Sequence, residues 1–172
     1  VLVMNHILGG GPASRLFINL REDKGYTYGV YSFFNGSRFP GVMLASTDVR
    51  TTVTDGALQE LMAELTRIGS EPVPEQELKN AKRALIGGFA LSLDSPQTLI
   101  GNLATQKIYN LPSDYWDTYP QRVEAISAAD VQRVAKKYYD ASRLQIVAVG
   151  DSASVKKVLE KYGTIETAGV GN

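Results

Sequence analysis

The spacing of the apolar residues constrains this chain more than any other feature of its sequence. Residues 27–35 are rich in aromatic and branched side chains and predict a strand with one face formed by Tyr28, Val30, Ser32 and Phe34. A turn at Asn35-Gly36-Ser37 leads to a second predicted strand at 42–49, so we expect two antiparallel neighbours. From residue 52 the period becomes about 3.6, which predicts a helix ending at Gly69. A hairpin at this point excludes the parallel sheet of dinucleotide-binding domains.

Further helices are predicted on both sides of the hairpin. Ser14 is expected to cap a helix that runs to about residue 23, where Gly25 closes it with a positive φ. A helix from residue 75 could reach residue 110, with a bend or break at Gly87-Gly88 and at Pro96. Shorter helices are predicted at 115–126, at 130–139 with Ser127 or an adjacent residue as the cap, and at 155–162.

A third strand is predicted at residues 144–149, where an apolar run ends at Gly150-Asp151. Three strands make a thin sheet, so either a strand precedes Val1 or residues 164–167 add a short edge. The fold class is therefore α+β, with a mainly antiparallel sheet covered by helices. Residues 1–172 are expected to form a single domain, and the start at Val1 inside an apolar run indicates a fragment of a longer protein.

The composition excludes several kinds of chemistry. The 172 residues include one histidine and no cysteine, so a disulfide framework, a thiol nucleophile and a zinc site of cysteines or paired histidines are excluded within this chain. With 18 basic and 18 acidic residues the net charge is zero, which argues against nucleic acid and anionic membranes as partners. No apolar span of about 20 residues is present. The compartment stays open between bacterial cytoplasm and periplasm.

The glycine run Gly9-Gly10-Gly11 precedes a predicted helix and therefore has two interpretations. Consecutive glycines before a helix can bind a phosphate, but the third glycine of a dinucleotide motif and the lysine of a phosphate loop are both absent. A flexible connection between two helices is therefore the preferred interpretation. His6 has no second histidine or carboxylate nearby in the sequence and is interpreted as a packed or rim residue.

Arg21 and Tyr28 are the strongest candidates for chemistry. Arg21 lies in the last turn of a predicted helix and Tyr28 near the start of the next strand, with Gly25 between them. A guanidinium and a phenol are donors that suit carbonyl or oxyanion oxygens, so the two residues could bind a peptide. The alternative is that Arg21 complements the helix dipole and Tyr28 only favours the strand.

Seven short blocks carry a family resemblance. They are ILGGG at 7–11, SRLF at 14–17, LREDKGYTY at 20–28, ELKNAK at 77–82, LPSDY at 111–115, ISAADV at 126–131 and VAVGD at 147–151. In this order they resemble the C-terminal domain of pitrilysin/insulinase-type zinc metallopeptidases, the group that includes mitochondrial processing peptidase. The resemblance implies a half-barrel or clamshell domain, LuxS/processing-peptidase-like, in a two-domain protein.

The resemblance also implies a function. In this family a domain with the inverted motif His-x-x-Glu-His holds zinc and faces a second, inactive domain across a closed chamber. This chain lacks the motif and resembles the inactive domain, so alone it is expected to bind no metal and cleave no peptide, with zinc held by a partner domain or subunit. The family's arginine and tyrosine, seven positions apart, carry over to Arg21 and Tyr28 as catalytic and substrate-binding residues.

Two points stay open within this resemblance. Tyr26 competes with Tyr28, because alternation along a strand puts both on the same face. Gly9, Gly10 and Gly11 lie where related subunits carry a longer glycine-rich substrate loop, so they are expected to contribute to substrate binding. The alternative function is a scaffold or assembly subunit, and the retained Arg21 and Tyr28 favour the peptidase.

Overall fold

A computed structural model describes residues 1–36, 39, 41–139 and 143–167. Eight α-helices and one two-stranded sheet lie in this part of the chain. The first half contains α1 (Leu2–Gly9), α2 (Arg15–Phe17) continuing as a π-helix (Ile18–Asp23), β1 (Thr27–Phe34), β2 (Met43–Val49), a 3-10 turn (Thr51–Val53) and α3 (Thr54–Ser70). The second half contains α4 (Glu75–Ser92), α5 (Pro96–Ile108), α6 (Tyr119–Glu124), α7 (Ala128–Tyr138) and α8 (Ser152–Leu159). The predicted α+β class with an antiparallel sheet is confirmed.

The core lies between α1, the inward face of β1 and the helices α3, α4 and α7. Leu8 on α1, Leu16 on α2 and Leu20 on the π-helix are all fully buried. Each such side chain contributes roughly 1.5–3 kcal/mol when it leaves water. Ile68 on α3 is also fully buried, as the predicted helical stripe required. These contacts fix the segment 15–23 against α3.

The sheet is the hairpin that the sequence predicted. β1 and β2 are antiparallel, with Phe34 opposite Met43 and Val30 opposite Thr47. Val30 and Ser32 are buried on the face that meets α1, whereas Phe33 and Leu44 are exposed on the other. Of the predicted turn residues, Ser37 lies outside the described part of the chain.

Side chains cap three of the helices, and of these caps the one at Ser127 was predicted from the sequence. Ser127 and Asp130 form a reciprocal cap at α7, where Ser127 Oγ accepts from the Asp130 N–H at 3.1 Å. Asp151 caps α8 by accepting from the Ser154 N–H at 3.0 Å. Ser95 caps α5 in front of Pro96. Ser14 is the N-cap residue of α2, as predicted, but its side chain makes no capping hydrogen bond.

One predicted helix break and two predicted strands differ from the structure. Gly87 and Gly88 lie inside α4, which ends only at Ser92, because a glycine weakens a helix by about 1 kcal/mol without removing a hydrogen bond. Pro96, which lacks the N–H, begins the next helix as expected. Residues 144–149 and 164–167 form no strand, since no described segment pairs with them, and Val149 is 97% exposed.

Candidate functional site

The π-helix and Gly25 determine how the chain enters β1. Gly25 has φ of +62°, which confirms the predicted positive φ and which only glycine adopts without strain. Its N–H donates to the Arg21 carbonyl at 3.2 Å, and the Tyr26 N–H donates to the Leu20 carbonyl at 2.9 Å. The last carbonyls of the helix are thereby satisfied. The chain reverses over these few residues, so Arg21 and Tyr28 lie on neighbouring elements.

A bulge at the start of β1 turns Tyr28 away from the core. The strand register shifts between Thr27 and Val30. The Thr27 hydroxyl donates to the Asp48 carbonyl at 2.7 Å and accepts from the Gly29 N–H at 3.1 Å. Such a bulge re-aims the side chains that precede it. Tyr28 is therefore 89% exposed although Val30 is buried, and the prediction that both share one face is wrong.

Arg21 and Tyr28 contact each other in this arrangement. The Arg21 Cζ atom lies 5.1 Å from the ring centroid of Tyr28 and 4.6 Å from that of Phe17. Glu22 is a looser neighbour, with its Oε1 atom 3.6 Å from Arg21 Nε. A guanidinium stacked on aromatic faces keeps its edge N–H groups available for hydrogen bonds. The two exposed donors thus form one surface, which we call the Arg21–Tyr28 site.

Tyr26 has different surroundings from Tyr28. It is partly buried and packs against the core. A Cβ atom at Gly56 of α3 would lie only 3.1 Å from the Tyr26 hydroxyl oxygen, so the ring lies directly on that helix. The expectation that the two tyrosines share one face is wrong, because Tyr26 lies before β1 and packs on the core, whereas Tyr28 is exposed. Burial distinguishes the two residues where spacing could not.

The glycine run lies at the end of α1, on the inward side of the sheet. Gly9 is buried, and a Cβ atom there would lie 2.5 Å from the backbone nitrogen of Ser32. Asn5 reinforces this contact by donating to the Ser32 carbonyl at 3.0 Å. Close packing of α1 on β1 therefore explains the glycine at position 9. Gly10 is exposed and Gly11 half-buried, and their predicted part in substrate binding stays a prediction.

His6 occupies the same helix end. Partial burial holds the pKa of its imidazole below the ordinary value of 6.5. A neutral ring is favoured in that position, which agrees with the interpretation as a packed residue.

A buried ion pair that sequence reasoning missed supports the segment before Arg21. Arg15 Nε and Nη2 donate to the two carboxylate oxygens of Glu77, each at 2.7 Å. The Arg15 side chain is only 5% exposed. Hydrogen bonding to Glu77 raises the pKa of the Arg15 guanidinium above its usual range. Both residues fall in blocks that carried the resemblance, yet they are 62 positions apart, and no local pattern pairs them.

Within residues 1–36, 39, 41–139 and 143–167 no group of three or more histidine, aspartate or glutamate side chains is arranged to hold a metal ion. The helices of that same part of the chain include none long and apolar enough to span a bilayer.

The chain is similar to known proteins in both sequence and fold. The family model for the peptidase M16 inactive domain matches residues 1–85. Among curated proteins, the chain is 27% identical over 142 residues to the uncharacterized zinc protease YmxG of Bacillus subtilis (strain 168), covering 81% of this chain and 34% of that protein. It is 23% identical over 157 residues to the non-peptidase homolog YmxG of Helicobacter pylori (strain ATCC 700392 / 26695), covering 90% and 36%. The crystal structure of a peptidase M16 inactive domain from Pseudomonas fluorescens is similar with a TM-score of 0.74 and 29% identity, covering 80% of this chain and 33% of that one.

These matches place the chain among the non-catalytic domains of zinc-protease-like proteins. It is similar to the inactive domain of the peptidase M16 family, in sequence over residues 1–85 and in fold over 80% of its length. The resemblance inferred from the sequence is thereby confirmed. The chain spans about a third of the length of the curated relatives it matches.

Proposed function

We propose that this domain is the non-zinc half of a zinc metalloendopeptidase, where it encloses a peptide substrate and stabilises the transition state. The observation that carries the proposal is the Arg21–Tyr28 site, in which a stacked guanidinium and an 89% exposed phenol lie side by side. The zinc-bearing domain or subunit facing this one would supply the activated water. This chain would supply hydrogen-bond donors on the opposite side of the substrate.

The two side chains suit different steps. As the peptide bond is attacked, negative charge develops on its carbonyl oxygen, and a fixed donor such as the Tyr28 hydroxyl stabilises that charge. Arg21 offers several N–H donors in one plane and would bind a backbone carbonyl of the peptide before and during the reaction. Tyr28 is therefore expected to affect mainly kcat, and Arg21 to affect both KM and kcat.

The test is Tyr28→Phe in the protease assembled from this domain and its zinc-bearing partner. The substitution keeps the ring and its contact with Arg21 but removes the hydroxyl donor. Loss of one such donor costs roughly 2.7–4 kcal/mol of transition-state stabilisation, so kcat should fall about a hundred- to a thousand-fold with little change in KM. Arg21→Ala should raise KM as well.

Tyr26→Phe is the matched control, because its hydroxyl faces α3 and not the exposed site. It should leave kcat nearly unchanged. If Tyr26→Phe is the damaging change and Tyr28→Phe is silent, the assignment of the tyrosine is wrong.

A second candidate is a scaffold or assembly role without peptidase activity. It is favoured by the Helicobacter pylori relative, which is described as a non-peptidase homolog. Under that alternative, variants of Arg21 and Tyr28 would leave assembly with the partner unchanged and would have no hydrolysis to reduce.

A further inference from the structure

We propose that Asn19 is a positioning residue that holds the π-helix against α3 and thereby orients Arg21 in the Arg21–Tyr28 site. This inference rests on the proposed function and adds a residue to it. Asn19 Nδ2 donates to Glu60 Oε2 at 3.0 Å and to Glu64 Oε1 at 2.9 Å. We call this pair of hydrogen bonds the Asn19 bridge.

The Asn19 bridge is specific for an amide. Glu60 and Glu64 are one turn apart on α3 and present two acceptors on the same face. One side-chain amide nitrogen has two N–H donors, so it satisfies both carboxylates at once. A carboxylate or a carbonyl oxygen in that place would be repelled by both glutamates. The chemistry therefore fixes which end of the Asn19 side chain faces α3.

Each of the two acceptors also has a cation beside it. Lys24 Nζ lies 3.1 Å from Glu60 Oε1, and Arg67 Nη2 lies 3.0 Å from Glu64 Oε2. The hydrogen bonds from Asn19 and Lys24 hold the pKa of Glu60 below its usual range. Hydrogen bonds to ionised acceptors are stronger than those between neutral groups. Glu64 is 4% exposed, so water competes little for this contact.

The bridge lies on the opposite side of the π-helix from the site. Two residues along an α-helix correspond to a rotation of roughly 200°, and somewhat less in the wider π-helix. Asn19 therefore faces α3, while Arg21 faces the rings of Phe17 and Tyr28. A π-helical turn is rare, and we expect it to change to an α-helical turn when the Asn19 bridge is removed. Such a change would rotate the Arg21 side chain relative to Tyr28.

The experiment is a double-mutant cycle between Asn19 and Arg21 in the assembled protease. Asn19→Leu keeps the approximate size and removes both donors. We expect kcat/KM to fall about ten- to a hundred-fold, with the same rise in KM that Arg21→Ala causes, because small displacements of a positioned group have effects of that size. In the Arg21→Ala background, Asn19→Leu should have no further effect on kcat/KM.

Asn80→Leu is the matched control, since Asn80 is exposed and its amide oxygen accepts from Gln76 Nε2 on the surface of α4. It should leave kcat/KM unchanged. If Asn19→Leu prevents folding, Glu60→Gln replaces it. This weaker acceptor should lower kcat/KM a few-fold, and that loss should also disappear in the Arg21→Ala background.

Two results would overturn the inference in distinguishable ways. If Arg21→Ala lowers kcat/KM and the loss from Asn19→Leu or Glu60→Gln persists unchanged in its background, Asn19 acts on the fold in general and the proposed function stands. If Arg21→Ala itself is silent, the proposed function fails and the positioning role fails with it.

Discussion

Replacing Glu77 with glutamine is expected to lower the free energy of unfolding by about 2–3 kcal/mol. Removing one partner of a buried ion pair typically costs about 3–5 kcal/mol, because the other charge stays buried without compensation. Arg15 fits that case, since its side chain is 5% exposed and it makes both hydrogen bonds to this one carboxylate. The Glu77 side chain is 26% exposed, and glutamine keeps one acceptor. We therefore expect a loss of about 2–3 kcal/mol, below the range typical of a fully buried pair.

The assay is urea unfolding followed by circular dichroism at pH 7. Glu75→Gln is the control, because Glu75 is in the same first turn of α4, is exposed, and interacts with the helix dipole for less than about 1 kcal/mol. In an Arg15→Met background, Glu77→Gln should cost little, since the buried charge is gone. Equal losses from Glu77→Gln and Glu75→Gln would refute the reasoning.

Three further predictions concern local structure. Gly9→Ala should lower the free energy of unfolding by about 1–3 kcal/mol, because the new methyl group overlaps the backbone of β1. Gly11→Ala is the control, since its methyl group would meet no atom closer than 3.8 Å, and it should change that free energy by less than about 0.5 kcal/mol. Equal effects of the two substitutions in thermal melts would contradict this reasoning. Gly25→Val should cost more than about 1 kcal/mol through its φ of +62°, and an unchanged melting midpoint would show that this conformation is not required. The pKa of Asp130 is about 2 against an ordinary 3.8, chiefly because Ser127 donates to it, so its contribution to stability is complete above the ordinary value and is lost as the pH falls towards 2. An NMR titration should find that Ser127→Ala raises the pKa of Asp130. If this pKa stays near 2 in the variant, the hydrogen bonds from Ser127 are not the cause of the low value.

The features that could be predicted from the sequence depend on contacts between near neighbours. The hairpin follows from two strand-like runs separated by a short turn, and α3 follows from a change of period. The reciprocal cap of Ser127 and Asp130 spans only three positions, and Gly25 closes its helix locally. Arg21 and Tyr28 were selected with the help of a family resemblance, and the structure places the two side chains in contact, while their role stays a prediction.

The features that were missed depend on distant contacts. The bulge that exposes Tyr28 is held by the Thr27 hydroxyl and a carbonyl of β2, 21 positions away, so alternation along β1 alone assigns the wrong face. The pairing of Arg15 with Glu77 requires α2 and α4 to be packed first. Residues 144–149 have every local property of a strand, but a strand forms only against a neighbour, and pattern alone does not supply one.

The π-helix also bears on how sequences of this kind can be aligned. A π-helical turn contains one residue more than the α-helical turn it replaces. A homologue that lacks the residue at position 22 or 23 could therefore keep the same core by forming an ordinary α-helix there. Its arginine and tyrosine would then be six positions apart instead of seven, and the guanidinium would leave the tyrosine ring. The length of this short segment, more than the presence of an arginine, separates domains that can form the Arg21–Tyr28 pair from those that only share the fold.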